Sequence, residues 1–381
     1  MEVRALNKHI HICYLANAAH IHTVRWVNYF AEHGYKVDLI TWHPPANDTS
    51  ELHANITVHR IYFPPHYIAR YGALLEITLL IKKIRPDIIH ATNVNTFGIL
   101  AGLYGRLSGF KPIVLVALGS DILVYAKRFG FTRWLTKYAL KKADCVTCAG
   151  EHMVEELISL GTDSKKIKLI YFGTDIQKFN PEQRSEKLRE NLGLLNSPSI
   201  ISIRMLDPIY DVGSLITAIP LVLKEVPETK FVIVGRGSQE AKLKELAETL
   251  GVLGSIRFVG FIIHDELPRY LASSDIYVST SLSDSGLAVS AAEAMACGLP
   301  VVITDFGDNS KWVEDGVNGF VVPLKDPKAL AEKIIYLLKN EDERMKFGGR
   351  NRKIVEERSN YYTEMKKMEK IYEELIVKYK P

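Results

Sequence analysis

One carboxylate in this chain stands where an ionised group is expensive to keep. Glu293 lies in a helical stretch beside Ala291, Ala292, Ala294, Met295 and Ala296. That composition leaves the helix apolar almost all round and predicts burial on several sides. A charged carboxylate there is costly unless hydrogen-bond donors meet it. No Lys or Arg lies within a helical turn of Glu293, so the donors must come from elsewhere. A vicinal diol, such as O2 and O3 of a ribose, would supply a pair of them. The preceding segment, Ser279 to Gly286, is rich in Ser, Thr, Asp and Gly and reads as a strand-to-helix turn. Its amides would open the helix toward an anion, as helix N-termini do for phosphates. Pyrophosphate at the helix mouth and ribose further in make a nucleotide site. The competing reading is a core helix whose Glu reaches solvent along its own stem.

The elements that must position this site follow a regular rhythm. IHICYLA, TVRWVNYFAEHG and VDLIT come first, then DIIHAT, TFGILAGLYGRLSG and PIVLVA. The second half repeats the alternation with SIISIR, VGSLITAIPLVLKEV, KFVIVG, SQEAKLKELAETLG, SIRFVG and DIYVST. Strands alternating with helices on this scale predict an α/β protein with parallel sheets covered on both faces. At 381 residues the chain is long enough for about two domains. The expected division is 1–180, a polar linker at 181–198 (KFNPEQRSEKLRENLGLLNSPS spans it), and 199–359. A final amphipathic helix over 360–381, with Tyr362, Met365, Met368, Ile371 and Tyr372 along one stripe, belongs to either lobe. Ligands of such sheets bind beyond the carboxyl ends of the strands, here between the lobes.

Composition narrows the function. Apolar residues make up 47% and charged residues 24%, ordinary values for packed globular domains. The net charge of +4 suits an anionic small molecule or a membrane surface better than a nucleic-acid track. The N-terminal MEVRALNKHIHICYLANAAH has no sustained apolar core, so no signal peptide is expected. The most apolar run, ALLEITLLI, is short and carries Glu76, so no spanning helix is expected either. Four cysteines imply a reducing, cytoplasmic setting. Cys145 and Cys148 lie in the strand-like ADCVTCAG; three apart on a strand they point to opposite faces. They read as core residues and not as a metal or redox pair.

EAMACGLPVV after the Ser-rich turn, GTDIQKF at 173–179 and DGVNGFVVP at 315–323 together resemble the retaining glycosyltransferases of GT-B fold called group 1. ADCVTCAGEHMVEEL and LPRYLASSDIYVSTS fit the same pattern, so the resemblance spans nearly the whole chain. It implies two Rossmann-like doubly wound lobes flanking a cleft. It also implies metal-independent chemistry and a nucleotide sugar held mainly by the C-terminal lobe. No cofactor is expected beyond the donor itself, and no D-x-D of the metal-binding kind is present. Glu293 matches the second Glu of the family's paired-Glu motif, the one that holds ribose hydroxyls. Arg204, ending SIISIR, matches the Arg on the donor diphosphate, where a guanidinium would neutralise charge on the leaving group. Gly235 and Gly237, in VGRGS, sit in a turn of the kind that lines the donor cleft and allow backbone approach. Near FVGFII, 258–263, the family contacts the base through main chain.

Three departures stand out. The family's first Glu falls on Ser285, with Asp284 and Gly286 beside it; a carboxylate at Asp284 would reach the sugar in a shifted register. The family's Lys soon after the strand-end Arg is missing, and Ile209 or Tyr210 stands there. Leu118, in ALGSDI, replaces a frequent His.

Ten of the chain's twelve histidines fall before residue 91, in the expected first lobe. His20 and His22 fall in the first strand-to-helix turn, which in the family faces the acceptor; scatter by composition is the alternative. His90, ending DIIHAT, is expected at the cleft rim, and Asp121, in LGSD, is expected to orient an acceptor hydroxyl. Both join Arg204 as candidate catalytic residues. From Tyr125 to Lys142 the chain carries Lys127, Arg128, Arg133, Lys137, Lys141 and Lys142 among five aromatic residues and no acid. Such a segment suits an anionic lipid surface or a lipid-linked acceptor, or else an ordinary helix with one packed and one solvated face.

The function implied is retaining transfer of a hexose-type sugar from a UDP- or GDP-sugar to an acceptor hydroxyl. The acceptor would be a glycan or a lipid-linked molecule at the inner face of a membrane, and nucleic acid is not a partner. A non-catalytic GT-B subunit binding nucleotide or a partner chain, and a sugar-nucleotide epimerase, are the rivals.

Overall fold

The computed structural model describes residues 10–42, 52–61, 73–126 and 130–379. Strands β1 (His11–Leu15), β2 (Lys36–Trp42), β3 (Ile56–Ile61), β4 (Ile88–Thr92), β5 (Ile113–Val116), β6 (Cys145–Cys148) and β7 (Ile167–Leu169) form one sheet, ordered β3-β2-β1-β4-β5-β6-β7. A second sheet contains β8 (Ser199–Ile203), β9 (Lys230–Val234), β10 (Ile256–Gly260), β11 (Ile276–Ser279), β12 (Val301–Thr304) and β13 (Gly319–Val322), ordered β10-β9-β8-β11-β12-β13. Every strand pairing is parallel. The reason is legible in strands such as HICYL, IVLV and VVIT, which are buried at every position. Strands without a polar face need cover on both sides, and crossover helices supply it.

In the first sheet, Cys13 and Leu15 face a core that takes Ile77, Ile81, Leu100, Tyr104, Leu135, Leu140, Met153 and Leu157 from the helices Ala73–Ile84, Ile99–Ser108, Gly130–Lys142 and Glu151–Ser159. Tyr14, between them, points to the other face and meets Phe30, His90 and Tyr372. The second core packs Ile200, Phe231, Ile233, Val278 and Val302 against Leu215, Ile219, Leu243, Ile334 and Leu337. All four cysteines are buried free thiols. Cys148 joins the first core while its strand neighbour Cys145 does not, as alternation requires. Burial pushes the Cys145 thiol up to about 12, which leaves it inert. Among the described residues no helix is long and apolar enough to cross a membrane.

The chain divides into two compact units between Tyr171 and Phe172, and again between Thr363 and Glu364. The stretch 181–198 is therefore no free linker. Its helix Glu186–Leu192 is capped by Ser185. The buried Arg189 guanidinium donates to the carbonyls of Leu194 at 2.7 Å, Ser197 at 3.1 Å and Ser273 at 2.8 Å. The first two fold the segment on itself, and the bond to Ser273 fastens it to the rest of the second unit. The last helix, Tyr361–Tyr379, returns to the first unit from Glu364 onward. Met365, Met368, Ile371 and Tyr372 are buried as the stripe requires, but Tyr362 is exposed and Tyr361 takes the inner place. Tyr372 shares a 2.9 Å hydrogen bond with Tyr14 and another with His90, and these fix the helix on the first sheet.

Candidate active site in the second sheet

The strand order of the second sheet reverses between β8 and β11: β9 and β10 lie on one side, β12 and β13 on the other. Such a reversal splays the loops that leave the carboxyl ends of the strands and opens a crevice there. Arg204 follows β8, Gly235 follows β9, and 261–266 follows β10. Residues 280–288 follow β11 and lead into the helix Val289–Ala296.

Arg204 is nearly buried. Its Nη2 donates to Asp284 Oδ1 at 2.6 Å, its Nη1 reaches Ser290 Oγ at 3.5 Å, and its guanidinium lies 4.4 Å over the Tyr210 ring. Burial works against the charge, yet Asp284 outweighs it and holds the group above its ordinary value. Arg204 Nε is buried with no hydrogen-bond partner. Asp284 is thus held by Arg204: the nearest strong donor captures a carboxylate in a half-buried turn. Tyr210, one of two residues standing near the absent Lys, serves as the platform under the guanidinium. The turn is stitched to the 207–210 segment by Leu282 N–H to Ile209 O at 2.8 Å and Thr280 Oγ1 to Tyr210 O at 3.0 Å. One of its amides, that of Leu282, is therefore spent within the protein. Ser285 is half-buried and Gly286 buried in this turn; among the described residues the Ser285 hydroxyl makes no hydrogen bond. The N-cap of the helix is Ala288, whose side chain cannot accept a hydrogen bond; the Ala291 amide donates to the Ala288 carbonyl at 2.9 Å, and the amides of Val289 and Ser290 have no side-chain cap.

Glu293 is 3% exposed, and the helix around it is buried from Ala291 to Ala296. Ser290 and Glu293, three apart, share a helix face, which sets Glu293 one turn beyond the group that touches Arg204. One carboxylate oxygen, Oε1, is bonded to His264 Nε2 at 2.8 Å. Among the described residues, Oε2 takes no hydrogen bond. His264 Nδ1 in turn lies 3.2 Å from Lys178 Nζ, which also pairs with Asp265. The Phe179 ring packs on the imidazole at 5.2 Å. The sequence reading missed His264 and Lys178. A signal existed: His264 is one of two histidines beyond residue 91 and directly follows FVGFII.

Gly235 and Gly237 are glycines for a reason internal to the fold. Gly235 has φ of +138°, and a Cβ there would stand 2.0 Å from the Arg204 carbonyl oxygen; at Gly237 it would stand 2.4 Å from Leu206 C. Their close approach is to the 204–206 backbone, which they let run tight against β9 and so aim Arg204.

The first-unit candidates fare differently. His90 lies within β4, fully buried, bonded through Nδ1 to Tyr372 OH and flanked by Tyr14 at 4.6 Å and Trp26 at 5.4 Å. Burial pushes it down to about 3. It is a core residue and not a rim residue, because the last helix covers it. Asp121 is also fully buried. Its Oδ1 accepts the amides of Leu118 at 3.0 Å and Gly119 at 2.9 Å, and Oδ2 accepts Val94 at 2.7 Å. Burial pushes its pKa up against those amides. With both oxygens engaged by backbone amides and no exposed surface, it braces two loops and is out of reach of an acceptor hydroxyl. His20 is exposed and His22 half-buried at the start of the helix Ile21–Glu32, rings 5.1 Å apart. In the basic–aromatic segment, Lys127, Arg128 and Phe129 lie outside the described residues. On the helix Gly130–Lys142, Phe131 and Trp134 stack at 6.2 Å, and Trp134 and Tyr138 at 6.1 Å.

Two parallel doubly wound sheets, with an arginine and a buried carboxylate at the switch point of the second, are the architecture of a GT-B protein. Known proteins agree. Residues 184–354 match the family model "Glycosyl transferases group 1" and residues 11–149 match "Glycosyl transferase 4-like". The N-acetyl-alpha-D-glucosaminyl L-malate synthase of Bacillus anthracis is 25% identical over 91% of both chains. A GDP-mannose-dependent alpha-(1-6)-phosphatidylinositol monomannoside mannosyltransferase of Mycolicibacterium smegmatis is 30% identical over 63% of this chain and 64% of its own. The fold of Anabaena HepE, crystallised with UDP-glucose, superposes with a TM-score of 0.81 at 22% identity, covering 96% of this chain and 99% of that one. The chain belongs to the group 1 glycosyltransferases of GT-B fold.

Proposed function

We propose that the protein is a retaining, metal-independent glycosyltransferase that moves a hexose-type sugar from a UDP- or GDP-sugar to an acceptor hydroxyl. The observation that carries this reading is Glu293, a buried carboxylate with one oxygen bonded to His264 and the other taking no hydrogen bond among the described residues. A ribose hydroxyl pair answers that acceptor. The diphosphate, with more charge than one carboxylate, competes with Asp284 for Arg204 and meets the uncapped amides of the Val289–Ala296 helix. The bond from the sugar's anomeric carbon to the diphosphate breaks as the bond to the acceptor oxygen forms on the same face. The leaving diphosphate takes the acceptor proton. Relatives named for UDP-glucose complexes and for GDP-mannose use support both bases. His20 and His22 are assigned to the acceptor side.

Incubating the protein with UDP- and GDP-sugars, with and without glycan and polyprenyl-linked acceptors, tests the reading. Release of nucleoside diphosphate that requires acceptor, and an anomer matching the donor's, are expected. An inverted anomer removes the retaining assignment. Isomerised donor without acceptor points to an epimerase, and neither binding nor turnover points to a non-catalytic subunit.

For a lipid-linked acceptor we propose docking through the Gly130–Lys142 helix on an anionic membrane surface. In support, Phe131 and Trp134 are 58% and 59% exposed, and the outward Arg133, Lys137, Lys141 and Lys142 attract acidic headgroups. Co-sedimentation with phosphatidylglycerol vesicles, lost at Trp134→Ser and with neutral vesicles, is the expected result. Equal binding to neutral vesicles, or none to either, removes the docking role.

A further inference from the structure

We infer that His264 is the positioning residue of the Glu293 carboxylate, and that Lys178 fixes the tautomer in which His264 does so. The inference rests on the reading of Glu293 as the ribose-binding group. An ammonium can only donate, so Lys178 Nζ, 3.2 Å from His264 Nδ1, makes that nitrogen the acceptor. The ring proton then sits on Nε2 and is donated to Glu293 Oε1 across 2.8 Å. Either other state breaks the array: a ring protonated on both nitrogens would present its Nδ1 proton to the ammonium, and an Nδ1–H tautomer would do the same while setting the Nε2 lone pair against the carboxylate. Lys178 is itself held by Asp265, and the Phe179 ring lies beside the imidazole, tilted 60° to it. The side chain of His264 is 19% exposed and that of Glu293 4% exposed, so the bond between them is largely shielded from bulk water, while Lys178 and Asp265 at the outer end are 29% and 80% exposed.

The consequence is an ordered carboxylate with divided duties. Oε1 is spent on the protein and sets the torsion of the side chain. Oε2 is left for the ligand. Glu293 therefore grips through a single oxygen, and the array selects a nucleotide whose sugar offers a hydroxyl to that oxygen. Lys178 and His264 are 86 residues apart in sequence, and His264 and Glu293 are 29 apart, so three separate segments of the second unit converge on the array.

Calorimetry with UDP, GDP and their 2′-deoxy counterparts reads this role directly. With the preferred base, His264→Leu is expected to weaken the ribonucleotide about tenfold, the loss of one charge-assisted hydrogen bond. It should leave the deoxynucleotide nearly unchanged, so that discrimination between the two collapses. His264→Gln, whose amide can still donate to Oε1, is expected to restore most of it. Lys178→Met, at a partly exposed side chain, should give a smaller loss of about threefold without unfolding, on the same scale of one hydrogen bond. In turnover the loss should fall on KM for the donor and leave kcat nearly intact. A wild-type ribo-to-deoxy ratio in folded His264→Leu and Lys178→Met overturns the inference. Glu293→Gln separates this failure from failure of the ribose reading. If it too keeps the wild-type ratio, the ribose assignment falls; if only Glu293→Gln changes the ratio, that assignment stands and the positioning role alone is lost.

Discussion

Two sets of buried polar groups, one in each unit, look alike in sequence and differ in what they are bonded to. In the first unit Asp121 has both oxygens on backbone amides, and His90 is fixed by a tyrosine from a distant helix. In the second unit Arg204 is held by the side chains of Asp284 and Ser290, and Glu293 by the side chain of His264. Backbone partners cannot turn away without remodelling a loop. Side-chain partners that reach solvent, as Asp284 and His264 do, can exchange for a ligand at the cost of a rotamer; the fully buried Tyr372 beside His90 cannot. Burial and charge mark a polar residue as interesting, and the mobility of its partner tells a scaffold from a site.

The comparison can be broken at several places. The largest effect is expected at Arg204: Arg204→Ala should lower kcat/KM for the donor by about 10²–10³, the range for losing a preorganised donor at a developing charge. Its melting temperature should stay close to the parent. A large loss of stability with normal turnover in the surviving fraction would move Arg204 to the scaffold class. Asp121→Ala should do the reverse. It leaves the amides of Val94, Leu118 and Gly119 without their acceptor, at a cost of about 3 kcal/mol, read as a drop in the denaturant midpoint. Its kcat/KM in the folded protein should be near the parent value; a specific loss of turnover would restore Asp121 as an active-site group.

The third effect is smaller and concerns acidity. His90 is held neutral, with its pKa pushed down from 6.5 to about 3 by burial. A depressed value means that its contribution is fully present above pH 6.5 and is lost as pH falls toward 3, because the unfolded chain takes up the proton first. Between pH 7 and pH 5 this amounts to about 2 kcal/mol. Urea titrations of His90→Gln should show a correspondingly flatter dependence over that interval, even though the variant starts less stable. An unchanged slope would place the acid sensitivity elsewhere.

Most of the architecture was legible because parallel strands buried on both faces write themselves as unbroken apolar runs. VVIT and IVLV admit few other readings once Gly and Pro punctuation is noted. Glu293 was legible for the same reason: a charge surrounded by alanines must be met by something. What could not be read were pairings across long separations. Arg204 and Asp284 are 80 residues apart, and nothing local in RMLDPIYDV or SLSDSG announces that one neutralises the other. His90 was misplaced because its cover comes from Tyr372, 282 residues later. The stretch 181–198 looked like a linker because it is polar, but Arg189 spends its charge on carbonyls of its own unit. Polarity alone does not distinguish a solvated segment from one bonded inward.

The returning helix has a consequence for synthesis. Residues that complete the first unit leave the ribosome after the whole of the second, since Tyr372 follows Thr363. Until then the Tyr14 hydroxyl and the His90 imidazole lack the phenol that joins them. The unit begun first is thus finished last, and a nascent chain stopped before residue 364 would carry a complete second unit while its first unit still lacked a wall.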